Sequence, residues 1–297
     1  MDKFNGVKSN NLKKIISQAK TAAAELLDLT AERRSAVLAG LAKALLENKE
    51  AILKANLKDA AASRRARQSD SFIERLSLDE NKIKAMADSL KQLAAWPDRL
   101  FKTIKTWRRP SGLKIKKVVF PLGLIALIYE SRPNVTIDAF ALSFKSGNAV
   151  ILKGGQEILN TNKILVALIK KVLAGFAING KIILDLSSWS RQATLELVKN
   201  EQIDCLIPRG GQGLINFVKN QAKIPLIITG ASVVHTYVDQ SADLLMAKKV
   251  ILNAKTRRVS ICNALDAVLL HKSIYQKFFK LTADNLARKN VEIRADE

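Results

Sequence analysis

Over the first hundred residues, apolar positions recur every three or four residues, the period of a helix with one buried face. The stretches LKKIISQAKTAAAELLDL (12–29) and VLAGLAKALLENKEAILKANL (37–57) both show it, and Thr30 stands where it can cap the second. Ser77-Leu-Asp-Glu80 has capping-box spacing, with Ile83, Met86, Ala87, Leu90 and Leu93 on one face behind it and Trp96-Pro97 as a stop. The pattern then changes. FKTIKTWR (101–108) and LKIKKVVF (113–120) flank Arg109-Pro-Ser-Gly112, which predicts a β-hairpin. The lysines alternating on its second arm suit an exposed ribbon, of the kind that pairs with another subunit, since an isolated two-stranded hairpin is marginal.

From residue 122 onward short apolar runs alternate with helical patterns. LIALIY, AVIL, KIILDL, IDCLIP and PLIIT read as strands. VTIDAFALSFKSG, closed by Gly147, and LNTNKILVALIKKVLAG, closed by Gly175, read as helices, followed by SRQATLELVKN and GLINFVKNQ. Repeated β-α units of this kind predict a parallel sheet with helices on both faces. VHTYVD, SADLLMAKKVILNAK and AVLLH continue the same character. The expected fold class is α/β, with two domains: 1–230, N-terminal helices and the parallel-sheet domain, and 231–297, the start of a second α/β domain.

Composition narrows the function. Of the 297 residues 48% are hydrophobic, enough for a sizeable core, and no apolar run reaches the length of a membrane span. The N-terminal MDKFNGVKSNNLKK lacks the apolar core of a secretory signal, so a cytoplasmic location and no membrane partner are expected. Two cysteines exclude a disulfide framework, and two histidines leave no legible metal site. The formal charge is +22, a value that invites a nucleic-acid reading. The excess is spread out, however: +10 over 1–109, +8 over 110–228 and +4 over 229–297. With 5% aromatics there is little material for base stacking, and no specific nucleic-acid partner is expected. The charge favours anionic substrates instead.

In an open α/β sheet ligands bind beyond the carboxyl ends of the strands. Two glycine clusters fall there: Lys153-Gly154-Gly155 after AVIL, and Pro208-Arg209-Gly210-Gly211-Gln212-Gly213 opening a helix. Either can bring backbone N–H groups to a phosphate, or simply make a tight turn. Neither is the G-x-G-x-x-G fingerprint. Cys262 lies in Arg257-Arg258-Val-Ser-Ile-Cys-Asn-Ala, where nearby positive charge favours a thiolate. Cys205, inside IDCLI, reads as core. His235 and His271, in or beside strand patterns, read as structural.

PLGLIALIYESRPNVTIDAFALSFKSGNAVILKGG, IDCLIPRGG, HTYVDQSAD and NAKTRRVSICNA together resemble the γ-glutamyl phosphate reductases (glutamate-5-semialdehyde dehydrogenases) of the aldehyde dehydrogenase superfamily. The resemblance runs in order along essentially the whole chain. It implies an aldehyde-dehydrogenase-like fold with a cofactor domain, a catalytic domain and an oligomerisation hairpin at about 101–119, in a homo-oligomer. It implies NADPH-dependent reduction of L-glutamyl 5-phosphate to the semialdehyde in proline biosynthesis. Carried onto this chain, the nucleophile falls on Cys262, the oxyanion-stabilising asparagine on Asn134, the cofactor-ribose lysine on Lys153 and the cofactor-phosphate turn on Gly210 and Gly211. These residue types suit acyl transfer to a thiolate under an amide donor. Hydrolytic members of the superfamily carry a water-activating glutamate about where residues 228–232 stand. Here no acid lies between Asp204 and Asp239, as suits transfer to phosphate rather than water.

The chain departs from the family pattern at Val259, where proline is usual, at Ala231-Ser-Val-Val234, where glycine and cysteine are usual, and in its charge. It stops at Glu297, soon after Cys262, so only the first part of a catalytic domain is expected. Two other functions compete with the reductase: a shortened, catalytically silent homologue that acts as a binding protein, and a basic polyanion-binding protein.

Overall fold

A computed structural model describes residues 9–228, 233–257, 259, 261 and 263–296. The chain divides into two compact units, Met1–Thr229 and Gly230–Glu297.

The first unit opens with five helices: α1 Ser9–Glu25, α2 Ala31–Glu47, α3 Lys49–Arg65, α4 Asp70–Leu76 and α5 Glu80–Ala95. The side chain of Thr30 caps α2 by accepting the N–H of Arg33. The apolar repeat expected to form one helix from 37 to 57 is divided at Asn48, whose amide donates to the carbonyl of Ala44 at 2.8 Å and ends α2. The apolar period survives the break, so the pattern did not show it. The start of α5 also differs from the sequence reading: Asp79, not Ser77, accepts the first-turn N–H of Lys82 at 2.7 Å. Ser77 instead closes α4. Ile83, Met86, Ala87 and Leu90 are the buried face of α5.

The hairpin forms as β1 Thr103–Arg108 and β2 Lys114–Val118, antiparallel, with nearly every residue exposed. Its two feet, Leu100 and Pro121, both lie against Gly147, where an added Cβ would come within 2.9 and 2.8 Å of them. Gly147 also has φ +74°, so glycine is required there twice over.

The core is a four-stranded parallel sheet of order β5-β4-β3-β6, with β3 Leu124–Tyr129, β4 Ala149–Gly154, β5 Ile183–Asp185 and β6 Cys205–Arg209. Every residue of β3 and β4 is buried, which is why both read as unbroken apolar runs rather than alternating ones. The connecting helices are α6 Asn134–Lys145, α7 Leu159–Gly175, α8 Arg191–Val198 and α9 Gln212–Gln221. Gly175 falls inside α7, and the left-handed residue that turns the chain away is Ala177, at φ 52°. Among the described residues of PLIIT, Leu226 makes a bridge beside Leu206 and the stretch forms no strand.

Buried polar groups fasten the helical layer, both to the sheet domain and to the segment that follows α5. Asp59 of α3 accepts from the N–H and Nδ2 of Asn160 and from the N–H and Oγ1 of Thr161, at 2.6–3.2 Å, and so caps α7 from another helix. Arg34 of α2 donates to Asp98 through Nε and Nη2 at 3.1 and 2.6 Å.

The second unit pairs β7 His235–Val238 with β8 Ala267–Leu270 in parallel, beside α10 Leu244–Thr256 and α11 Tyr275–Ala287. Its small core centres on Val238, Ile251, Leu265 and Phe278. Among the described residues no helix is long and apolar enough to cross a membrane.

Candidate active site

The order β5-β4-β3-β6 contains a reversal. From β3 the chain steps outward to β4 and then β5, and returns to lay β6 on the opposite side of β3. The connections leaving β3 and β6 therefore diverge, and a crevice opens beyond their carboxyl ends, the place where such sheets take ligands. The register sets Gly154 on one side of Tyr129 and Arg209 on the other. Lys153, Gly154, Glu130, Ser131, Gly210 and Gly211 thus all come from one end of one sheet.

Lys153 is 9% exposed and, among the described residues, its ammonium reaches the carbonyl of Gly154, at 3.3 Å. Burial pulls its pKa below the ordinary lysine value, against the charges of Asp185 and Glu157. Behind it lies a buried hydrogen-bonded set. Asn162 of α7 donates to Tyr129 Oη at 3.0 Å and to Ser187 Oγ at 3.1 Å, and Ser187 Oγ accepts the N–H of Gly154 at 3.2 Å. A Cβ on Gly154 would stand 2.4 Å from the Asn162 amide, so this backbone position admits only glycine.

Gly210 and Gly211 follow β6, and Gly211 is the N-cap of α9. Both are exposed, with the N-terminal end of α9 facing outward, the arrangement that accepts a phosphate. Asn134 is the first residue of α6, and its Nδ2 donates to Asp138 at 3.0 Å. That bond uses one of the two amide hydrogens and fixes the direction of the other. Burial raises the pKa of Asp138, opposed by the Asn134 amide and by Arg209.

Cys205 is a free, buried cysteine in β6, as its apolar surroundings implied, and burial raises its thiol pKa. Cys262 lies outside the described residues, as do Arg258 and Ser260. His235 and His271 are at the surface of the second unit and bond locally, to Val233 O and Ser273 Oγ. An open groove of about 700 Å³ in that unit runs along Asp243, Leu245, Lys277 and Lys280, and none of the site residues named above lines it.

Three carboxylates at the crevice escaped sequence reasoning. Glu157 accepts the N–H and Oγ of Ser131, at 2.7 and 3.2 Å, and so holds Ser131 at φ 46° in the turn leading to Asn134. Asp138 orients Asn134. Glu130 accepts the N–H of Gly211 at 2.9 Å. Asp138 had a usable signal in its i, i+4 spacing from Asn134. Glu130 lies within the stretch quoted above but has no local signal of its role, Glu157 lies beyond it, and the strand order brings both in.

A family model described as "Aldehyde dehydrogenase family" matches residues 1–297. The chain belongs to the aldehyde dehydrogenase family. Within that family it is 44% identical over 279 residues to the γ-glutamyl phosphate reductase of Clostridium novyi (strain NT), a match covering 94% of this chain and 67% of that relative. The crystal structure of the γ-glutamyl phosphate reductase of Thermotoga maritima superposes with a TM-score of 0.86 at 35% identity, over 95% of this chain and 68% of that one. The fold extends to more distant members. The NADP-dependent glyceraldehyde-3-phosphate dehydrogenase of Bacillus halodurans C-125, solved with NADP, gives a TM-score of 0.69 at 19% identity, over 95% of this chain and 57% of that one. Identities of 35–44% place the chain among the γ-glutamyl phosphate reductases of the family, and it spans about two thirds of their length.

Proposed function

We propose that this chain carries the reaction of the γ-glutamyl phosphate reductases: NADPH-dependent reduction of L-glutamyl 5-phosphate to L-glutamate 5-semialdehyde with release of phosphate, a step of proline biosynthesis. The observation that carries it is the 44% identity to such a reductase over 94% of the chain. The crevice at the sheet reversal supports it, because its groups fit a dinucleotide. Of the three ammonium hydrogens of Lys153 one goes to the carbonyl of Gly154, which leaves donors for a ribose or its phosphate. Gly210 and Gly211 put little bulk at the N-terminal end of α9, so a pyrophosphate can approach the backbone N–H groups there, of which that of Gly211 is held by Glu130. A Cβ at Gly210 would come within 2.8 Å of Leu214 and narrow that approach.

The roles follow from residue chemistry. The Cys262 thiolate attacks the acyl carbon of the substrate, the bond to phosphate breaks, and phosphate leaves with the electron pair. The remaining hydrogen of the Asn134 amide is the donor for the oxyanion that develops during attack. Bound NADPH supplies the hydride that turns the resulting thioester into the aldehyde. The thiolate departs and takes up a proton. Residues 1–230 serve as the cofactor domain, 231–297 as the first part of the catalytic domain, and the β1–β2 ribbon as an oligomerisation element of a homo-oligomer. The measurement that tests the function is the reverse reaction: oxidation of glutamate semialdehyde by this chain, dependent on both NADP and phosphate. Activity with NADP alone, or none at any phosphate concentration, contradicts it.

A further inference from the structure

The outer end of α9 is already engaged. Helix α9 has no acidic residue in its own first turn and no side-chain cap from Gly211. The negative group at its N-terminus comes from 81 positions earlier in the chain: Oε2 of Glu130, accepting the Gly211 N–H at 2.9 Å. The backbone N–H of Glu130 bonds the carbonyl of Arg209 at 3.2 Å, so the stem of this side chain is fastened directly across the crevice. Gly210 leaves the space the carboxylate uses, since a Cβ there would lie 2.6 Å from the same oxygen. Glu130 is exposed and is held at its tip by one hydrogen bond. A group of that kind is displaceable, unlike the buried Asp59, which accepts four.

We propose that Glu130 is a built-in competitor for the cofactor's phosphate: its carboxylate occupies the N-terminus of α9 in the free protein and leaves when a dinucleotide binds, so it weakens binding and sets the affinity of the site. The proposal rests on the nucleotide site described under the proposed function. Displacement loses one charge-assisted bond at a helix end. Whatever fraction of the carboxylate stays nearby repels the incoming pyrophosphate. Both effects have the same sign. A carboxylate that merely held the turn in shape would have the opposite effect on removal, because loosening the turn would weaken the site.

The test is titration of NADPH into the full chain by calorimetry, for the unaltered protein, Glu130→Gln and Glu130→Ala, with thermal unfolding of each alongside. Glu130→Gln keeps the shape and removes the charge, while Glu130→Ala removes the acceptor as well. Both are expected to bind NADPH about 3-fold to 10-fold more tightly. The free variants should melt slightly earlier, while saturating NADPH should raise their melting temperature by more than it raises that of the unaltered protein. Equal or weaker binding in both variants, with the unaltered chain binding normally, overturns the competitor and leaves the nucleotide site standing. Failure of all three proteins to bind NADPH overturns the site and the competitor together.

Discussion

The two cysteines illustrate how residue type alone says little and surroundings say much. Cys205 is a core residue whose thiol is pushed toward the neutral form by burial. Cys262 follows two arginines in a polar segment. Cys262→Ser is expected to abolish the NADP- and phosphate-dependent oxidation of glutamate semialdehyde, while Cys205→Ser retains most of it; equal loss in two folded variants would refute the assignment. Lys153→Ala should weaken NADPH by about 1–3 kcal/mol, the scale of a lost charge-assisted bond, read by calorimetry. Asp98 offers a stability counterpart. Burial alone would raise its pKa, but the Arg34 guanidinium, the N–H of Leu100 and the charge of Lys145 outweigh burial and hold it below its ordinary 3.8. An acid with a depressed folded-state pKa stabilises above the unfolded value, and the benefit is lost as pH falls through the folded one. Asp98→Asn also strands Arg34, which is 3% exposed. A loss of roughly 3–5 kcal/mol near neutral pH is expected, shrinking below about pH 4, in denaturant melts across pH.

Among the elements, the cap that matters most comes from a distance. Asp59 closes the first turn of α7 with four accepted bonds, so Asp59→Ala leaves buried donors unpaired and is expected to cost roughly 3 kcal/mol of stability in a urea melt. Nothing near α7 in the sequence announces this, because the cap is on α3. The same limit explains what was and was not legible. The runs at 124–129 and 149–154 were readable because complete burial leaves them wholly apolar. The hairpin was readable from its turn residues; Asn134, Lys153, Gly210 and Gly211 were singled out by motif resemblance, and their roles are part of the proposal. The division at Asn48 was hidden because apolar spacing continues across it. Asp79 was hidden behind a capping-box pattern that begins two residues early. Glu130 and Glu157 have roles only because β3, β4 and β6 end side by side, a fact of topology that local pattern does not contain.

For the whole molecule, the two units differ in how firmly they are built. The first surrounds strands that are buried along their entire length. The second has a two-stranded sheet whose residues are mostly half-buried or exposed, Tyr237 and Leu269 among them, over a small core that among the described residues centres on Val238, Ile251, Leu265 and Phe278. Local opening is easiest where few apolar groups are covered. Amides of β7 and β8 are therefore expected to exchange with deuterium well before those of β3 and β4, by mass spectrometry; matched protection would show that the second unit draws its stability from elsewhere. Charge is uneven on the same scale. Between Asp98 and Glu130 the chain holds eight basic residues and no acidic one, and the β1–β2 ribbon carries most of them. Arg108 faces Lys114 and Lys105 faces Lys117 across its ladder, like-charge pairs that weaken an isolated hairpin.

The feet of that ribbon give it a further property. Leu100 and Pro121 meet at Gly147, and just above them the backbone ties itself off, with Phe101 N–H on Val119 O at 2.9 Å, Val119 N–H on Lys102 O at 3.1 Å and the rings of Phe101 and Phe120 edge to face. The excursion leaves and re-enters at one point, so its length and composition are mechanically decoupled from the strands behind it. The ribbon is thus a separable insert: a ribbon of another length or charge joined between Leu100 and Pro121 is expected to leave the crevice at the other end of β3 unchanged.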